Sequence, residues 1–174
     1  AFTDAREARD GFFRSAHRGT IFLDEITEIS PAVQAKLLKV IEERAIRRVG
    51  STRLEPVDVW IIAASNRNLT RAVEQHLFRK DLYHRLAVVT LRIPPLRERL
   101  EDVIPLAEHF LAQACFDYHL PPHRFTDEAR AALVAYDWPG NIRELSSVIE
   151  RVALNSDSTE VSAATLGLSP RRRH

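Results

Sequence analysis

Cysteine is all but missing from this 174-residue chain: Cys115 stands alone. No internal disulfide can form, a cysteine-based zinc site is disfavoured, and a buried, inert thiol is expected. A charge of one sign is missing too. With 25 basic against 24 acidic residues the formal charge is +1, which predicts attraction of the whole chain neither to nucleic acid nor to a membrane surface. Arg171, Arg172 and Arg173 make only a local basic end, read as a solvated tail or linker. No apolar run approaches the roughly 18 to 20 residues that span a bilayer, so a cytoplasmic protein without a membrane partner is expected. The seven histidines share no metal-ligand spacing. Nothing resembles a nucleophile elbow or a catalytic Cys-His pair. Internal repeats are absent, and so is any G-x-x-x-x-G-K-[ST] loop, whose backbone amides and lysine would cradle phosphates.

What remains is an ordinary globular composition, 45% hydrophobic and 28% charged, in a chain long enough for one domain or one domain with a small appendage. The apolar, β-favouring run Thr20-Ile21-Phe22-Leu23 ends in two acids, as a buried parallel strand does when it delivers carboxylates at its C-terminal edge. Ser30 followed by Pro31 opens a helix that ends near Arg44, with Val33, Leu37, Leu38 and Ile41 on its apolar face. Residues 46–56 alternate around Gly50-Ser51, as in a hairpin or exposed loop insertion. Residues 57–65 read as a second buried strand, 66–85 as two short helices, and 88–93 as a third strand stopped by Pro94-Pro95. Beyond Pro95 no convincing strand follows. Helices are expected from Pro105 to about Tyr118 with Phe110, Leu111 and Ala114 inward, over 127–136 after a Thr126 cap, and over 142–154. Asn141 and Glu144 have capping-box spacing. From about Asn155 a loose tail is expected. Alternating strands and helices followed by helices alone predict an α/β class fold, a parallel sheet with a small all-α subdomain behind it. The expected division is residues 1–97, 98–168 and a tail at 169–174.

Asp24-Glu25 after an apolar strand has the order of a magnesium-binding acid next to a water-activating acid, because phosphoryl transfer needs charge neutralisation and an oriented nucleophile. Two such acids also fit a helix cap or a solvated turn. Asn66, at a strand end, viewed alone fits a turn-forming residue that closes the strand. Arg79 and Arg85, viewed alone, fit a solvated helix face with local ion pairs, the usual fate of such charged runs. Arg143 could pair with a nearby acid, and Trp138 could simply anchor a helical core.

Taken in order, these segments resemble one family. Gly19-Thr20-Ile21-Phe22-Leu23-Asp24-Glu25-Ile26 is similar to the Walker B element of the sigma-54-dependent transcriptional activators, which are AAA+ ATPases also called bacterial enhancer-binding proteins. Ala1-Phe2-Thr3 resembles most of that family's GAFTGA loop, with Asp4 in place of its second glycine, which restricts the backbone there. Ala63-Ala64-Ser65-Asn66 is similar to the sensor I strand end. Phe78-Arg79-Lys80-Asp81-Leu82-Tyr83-His84-Arg85-Leu86 resembles the arginine-finger segment, and Trp138-Pro139-Gly140-Asn141-Ile142-Arg143-Glu144-Leu145 the sensor II element. Pro94-Pro95-Leu96-Arg97-Glu98-Arg99 fits the link between subdomains. The likeness runs from Ala1 to about Leu154.

The resemblance implies ATP and Mg²⁺ as cofactors, with Asp24 on the metal, Glu25 polarising water, and Asn66 and Arg143 sensing nucleotide. It also implies that Arg79 and Arg85 complete a neighbouring subunit's site in a homo-oligomeric, usually hexameric ring. Phe2 and Thr3 would contact sigma-54 RNA polymerase, remodelling the closed promoter complex, and DNA would be met through a separate domain outside these residues. With Ala1 rather than Met first and no phosphate-binding loop, the sequence is expected to be a fragment starting within the GAFTGA loop, poor at binding or hydrolysing ATP by itself. Three rivals stay open: a non-catalytic sigma-factor or subunit interaction module, another AAA+ machine such as a clamp loader or helicase loader, and a DNA-binding protein. The Ala1-Phe2-Thr3 loop argues against the second, and the lack of a helix-turn-helix against the third.

Overall fold

The computed structural model describes residues 11–47, 53–156 and 158–168. The chain forms two compact units, Ala1–Leu91 and Arg92–His174.

In the first unit a short helix α1 (Phe12–Ser15) precedes β1 (Gly19–Leu23), a 3-10 turn (Ile26–Glu28) and α2 (Pro31–Glu43). Pro31 takes the first helical position, where its missing N–H costs nothing, and Ser30 is the cap by backbone conformation without a side-chain hydrogen bond. The helix stops at Arg44, which turns left-handed at φ 46°. Strands β2 (Ala45–Arg47) and β3 (Leu54–Pro56) pair antiparallel, the two arms expected of 46–56. Strand β4 (Val59–Ala63) then runs parallel to β1, with Ile21 beside Ile61 and Leu23 beside Ala63. Helices α3 (Leu69–Glu74) and α4 (Lys80–Leu86) are the two short pieces expected of 66–85. Ile26, Leu37, Ala72, Phe78 and Leu82 form the buried core of this unit.

Two expectations need correction here. Residues 88–93 are not a strand: a strand exists only as a hydrogen-bonded ladder, and among the described residues no edge pairs with them. Val88, Val89, Leu91 and Ile93 stand exposed. Nor are β1 and β4 buried on both faces, since Phe22, Trp60 and Ile62 are open to solvent.

The second unit contains α5 (Val103–Asp117), β5 (Arg124–Phe125), α6 (Asp127–Ala135), α7 (Asn141–Asn155), β6 (Glu160–Val161) and α8 (Ala163–Leu166). Leu111 and Ala114 are buried as expected of α5, and Phe110 packs at the core edge. Thr126 caps α6 by accepting the Ala129 N–H at 3.3 Å. The capping-box expectation is half met: the Glu144 carboxylate reaches back to the Gly140 N–H at 2.7 Å, but Asn141 is already the first helical residue, and its side chain is engaged elsewhere. The expected loose tail is also corrected. β5 and β6 form a small parallel pair, and Val161 and Leu166 lie fully inside the core. Short polar stretches conceal this from periodicity, because a two-residue strand has no period to read.

Candidate functional site

Parallel pairing of β1 with β4 carries the chain ends of both strands forward together. The lock continues past the last strand residues: the Ala64 N–H donates to Leu23 O at 2.8 Å, and the Ile26 N–H donates to Ala64 O at 2.9 Å. Residues 24–28 therefore lie against 64–67, at the carboxyl ends of the strands where open α/β sheets place their ligands.

Three side-chain rungs join the two loops. Asn66 Nδ2 donates to both Glu25 carboxylate oxygens at 3.3 Å. The Thr27 and Ser65 hydroxyls share a 3.1 Å hydrogen bond, and Arg67 pairs with Glu28 at 3.2 Å. Only the first rung involves residues singled out from sequence. Thr27, Ser65 and the Glu28–Arg67 pair were not, because nothing in a local pattern says which loop residues will face one another.

Glu25 itself sits left-handed, at φ 50° and ψ 46°. For a residue with a Cβ this costs on the order of 1 kcal/mol, and such cost is commonly retained where side-chain aim matters. Asp24 holds the kink: its Oδ1 accepts the Glu25 N–H at 2.9 Å. Asp24, Glu25 and Asn66 are all exposed, so solvent and ligand can reach them. A single carboxylate at a strand end is a fitting donor for Mg²⁺, which takes one or two protein carboxylates and fills its octahedron with phosphate oxygens and water.

Arg79 and Arg85 bracket α4, one at its N-cap and one in its last turn. Arg79 forms a two-pronged pair with Asp81, Nε to Oδ1 at 3.0 Å and Nη2 to Oδ2 at 2.7 Å. That pair raises the Arg79 pKa and holds the Asp81 carboxyl below the ordinary carboxylate value. Arg85 Nη2 meets Glu42 on α2 at 3.3 Å. Both guanidinium groups are exposed.

Arg143 belongs to the second unit, exposed in the first turn of α7. The turn before it is tightly held. Trp138, fully buried, donates Nε1–H to Leu133 O at 2.8 Å and meets Tyr136 edge-on at 4.9 Å. Glu144 accepts from Gly140 N–H and from the Tyr136 hydroxyl. A Cβ on Gly140 would lie 2.7 Å from Glu144 Cβ, so this close approach requires glycine. Asn141 Oδ1 accepts the Leu96 N–H at 2.8 Å, fixing the proline-led segment to the start of α7. Phe2 and Thr3 lie outside the described residues. Among the described residues, no helix is long and apolar enough to cross a membrane.

With this geometry in hand, comparison with known proteins is specific. Residues 1–92 match the sigma-54 interaction domain, and residues 97–173 match the AAA+ ATPase lid domain. The chain is 45% identical over 168 residues to the transcriptional regulatory protein FlgR of Helicobacter pylori, covering 97% of this chain and 44% of that protein. It is 49% identical over 154 residues to the C4-dicarboxylate transport transcriptional regulatory protein DctD of Pseudomonas aeruginosa, covering 88% of this chain and 33% of that one. Its fold superposes on NtrX from Brucella abortus crystallised with ADP at a TM-score of 0.82, with 34% identity over 89% of this chain and 36% of that chain. The chain thus spans less than half the length of these relatives, and within that span it belongs to the AAA+ sigma-54 interaction domain family, continued by the family's ATPase lid.

Proposed function

We propose that this chain is the catalytic and lid portion of an ATP-hydrolysing activator of sigma-54 RNA polymerase, which remodels the closed promoter complex. The observation that carries the reading is the juxtaposition of Glu25 and Asn66 beside Asp24 at the ends of two parallel strands. Glu25 orients and deprotonates water as an oxygen–phosphorus bond forms to the γ-phosphorus and the bond to ADP breaks. Asn66 can donate either to Glu25 or to a phosphate oxygen, so nucleotide state is felt at the base itself. Mg²⁺, when bound through Asp24, neutralises charge on the phosphate oxygens. Arg143 contacts nucleotide in the same subunit, and Arg79 and Arg85 complete the site of the next subunit in a homo-oligomeric ring, whose closure requires such unlike surfaces to meet. Phe2 and Thr3 contact the sigma factor, and DNA is met through a separate domain. The likeness to NtrX, which was crystallised with ADP and also with ATP, supports a nucleotide ligand.

The 174 residues hold no G-x-x-x-x-G-K-[ST] loop. On this reading they bind ATP·Mg²⁺ only weakly, whereas a version that includes such a loop binds it measurably by calorimetry. In that longer protein Glu25→Gln lowers ATP turnover by about 10²- to 10⁴-fold with nucleotide binding retained. Unchanged turnover would remove Glu25 from the mechanism, and equal binding by both lengths would overturn the account of the nucleotide site.

A further inference from the structure

Gln34 is the one buried polar or charged residue among those described, 1% exposed. It lies on α2 amid the apolar face formed by Leu37, Leu38 and Ile41, a place where a polar side chain persists only when its hydrogen bonds are made. They are made: Nε2 donates to Ile29 O and to Leu77 O, each at 3.1 Å, and Oε1 accepts the Arg79 N–H at 2.9 Å. The chemistry fixes the amide orientation, since the reverse would set two donors against each other and an oxygen against two carbonyls. Ile29 closes the 3-10 turn that follows Asp24-Glu25, and Arg79 is the N-cap of α4. One neutral carboxamide thus ties the segment leaving the acidic pair to the backbone of the arginine. Phe78, buried beside it, and Asp81, gripping the guanidinium, complete the hold on Arg79.

We propose that Gln34 is a positioning residue for Arg79: it sets the backbone from which this guanidinium reaches the neighbouring subunit's nucleotide, and links it rigidly to the subunit's own Glu25 segment. The inference rests on the reading that Arg79 acts in trans. Arg79 is aimed from a main chain whose first α4 hydrogen-bond donor is committed to Gln34, so removal of the amide frees three backbone groups and lets the fork drift. A misplacement near 1 Å is enough to lower turnover by about 10²-fold.

The test uses the full-length protein. Gln34→Met keeps the side-chain volume and removes the three bonds, and Gln34→Asn keeps an amide too short to make them all. The variant with the smaller fall in melting temperature carries the measurement, assayed well below its own unfolding midpoint where it is fully folded. The expected result is a fall in kcat of about 10²-fold with KM for ATP little changed, because the subunit's own nucleotide contacts are intact. Mixing these subunits with Glu25→Gln subunits, which offer a normal Arg79 but cannot hydrolyse ATP, should then restore turnover above the sum of the two alone. Arg79→Ala, mixed in the same way, is the control for the underlying reading. Rescue of both supports the proposal. Rescue of Arg79→Ala without rescue of the Gln34 variant overturns it and leaves Arg79 as a trans-acting residue. No rescue of Arg79→Ala overturns that reading, and the proposal falls with it. Wild-type kcat in both Gln34 variants overturns the proposal directly.

Discussion

The two units solve the same burial problem to different degrees. In Arg92–His174, sixteen buried residues among those described, from four helices, two short strands, the Leu96 turn and the loop that carries Trp138, form one core. In Ala1–Leu91 the buried core has five members among the described residues, and large apolar side chains stand in solvent, with Trp60 80% and Phe22 60% exposed. An apolar cleft of about 850 Å³ opens between α1, β1, α2 and β2. The difference follows from architecture: helices can close a core among themselves, whereas a parallel sheet has two faces and two edges to cover. The candidate chemistry of Glu25 and Asn66 sits on the less closed unit.

The comparison breaks most directly when the units are separated. Residues 92–174 alone should unfold in one cooperative thermal transition by circular dichroism, and residues 1–91 alone should not; two cooperative transitions would mean that the α/β unit closes its core after all. Next in size, Trp138→Ala in residues 92–174 should cost about 3–5 kcal/mol in urea denaturation, as removal of a fully buried indole does. A loss under about 1 kcal/mol would show that the core is less tightly packed than its burial suggests. The same residue type in the open unit gives the contrast: Trp60→Thr should change stability by no more than about 0.5 kcal/mol and should reduce self-association in sedimentation. The smallest effect is on acid stability. Asp81, through its bond to Arg79, and Glu128, through its own main-chain N–H and the Thr126 hydroxyl, have carboxyl pKa values lowered on folding. Each therefore adds stability above the ordinary carboxylate pKa, lost as pH falls through the lowered one. Both groups are exposed, so Glu128→Gln should only slightly flatten the acid limb of stability for residues 92–174. A steeper limb in that variant would reverse the sign.

Much of the frame was legible in the chain. Val59–Ala63 and Gly19–Leu23 carry apolar runs too short for helices, and Ser30-Pro31 announces α2. Residues 88–93 show where that reading ends, because their β-favouring pattern is local while a ladder needs a partner. Val161 and Leu166 show the converse: they are core residues in a stretch with no period to reveal them. Asp24 and Glu25 could be chosen as two acids after an apolar strand, and Asn66, Arg79, Arg85 and Arg143 through the resemblance of their segments to one family, but Gln34 could not, since a polar residue on an apolar face reads as an exception until its partners are known.

By itself, then, the sequence determined the order of the elements, their periods and the supply of acids, amide and arginines, because these depend on neighbours within a few turns. Only the tertiary structure decided which of them meet. Asn66 reaches Glu25 across 41 positions and Gln34 reaches Arg79 across 45. Bonds of that span follow from the pairing of β1 with β4 and the packing of α2 against α4, which no local window contains.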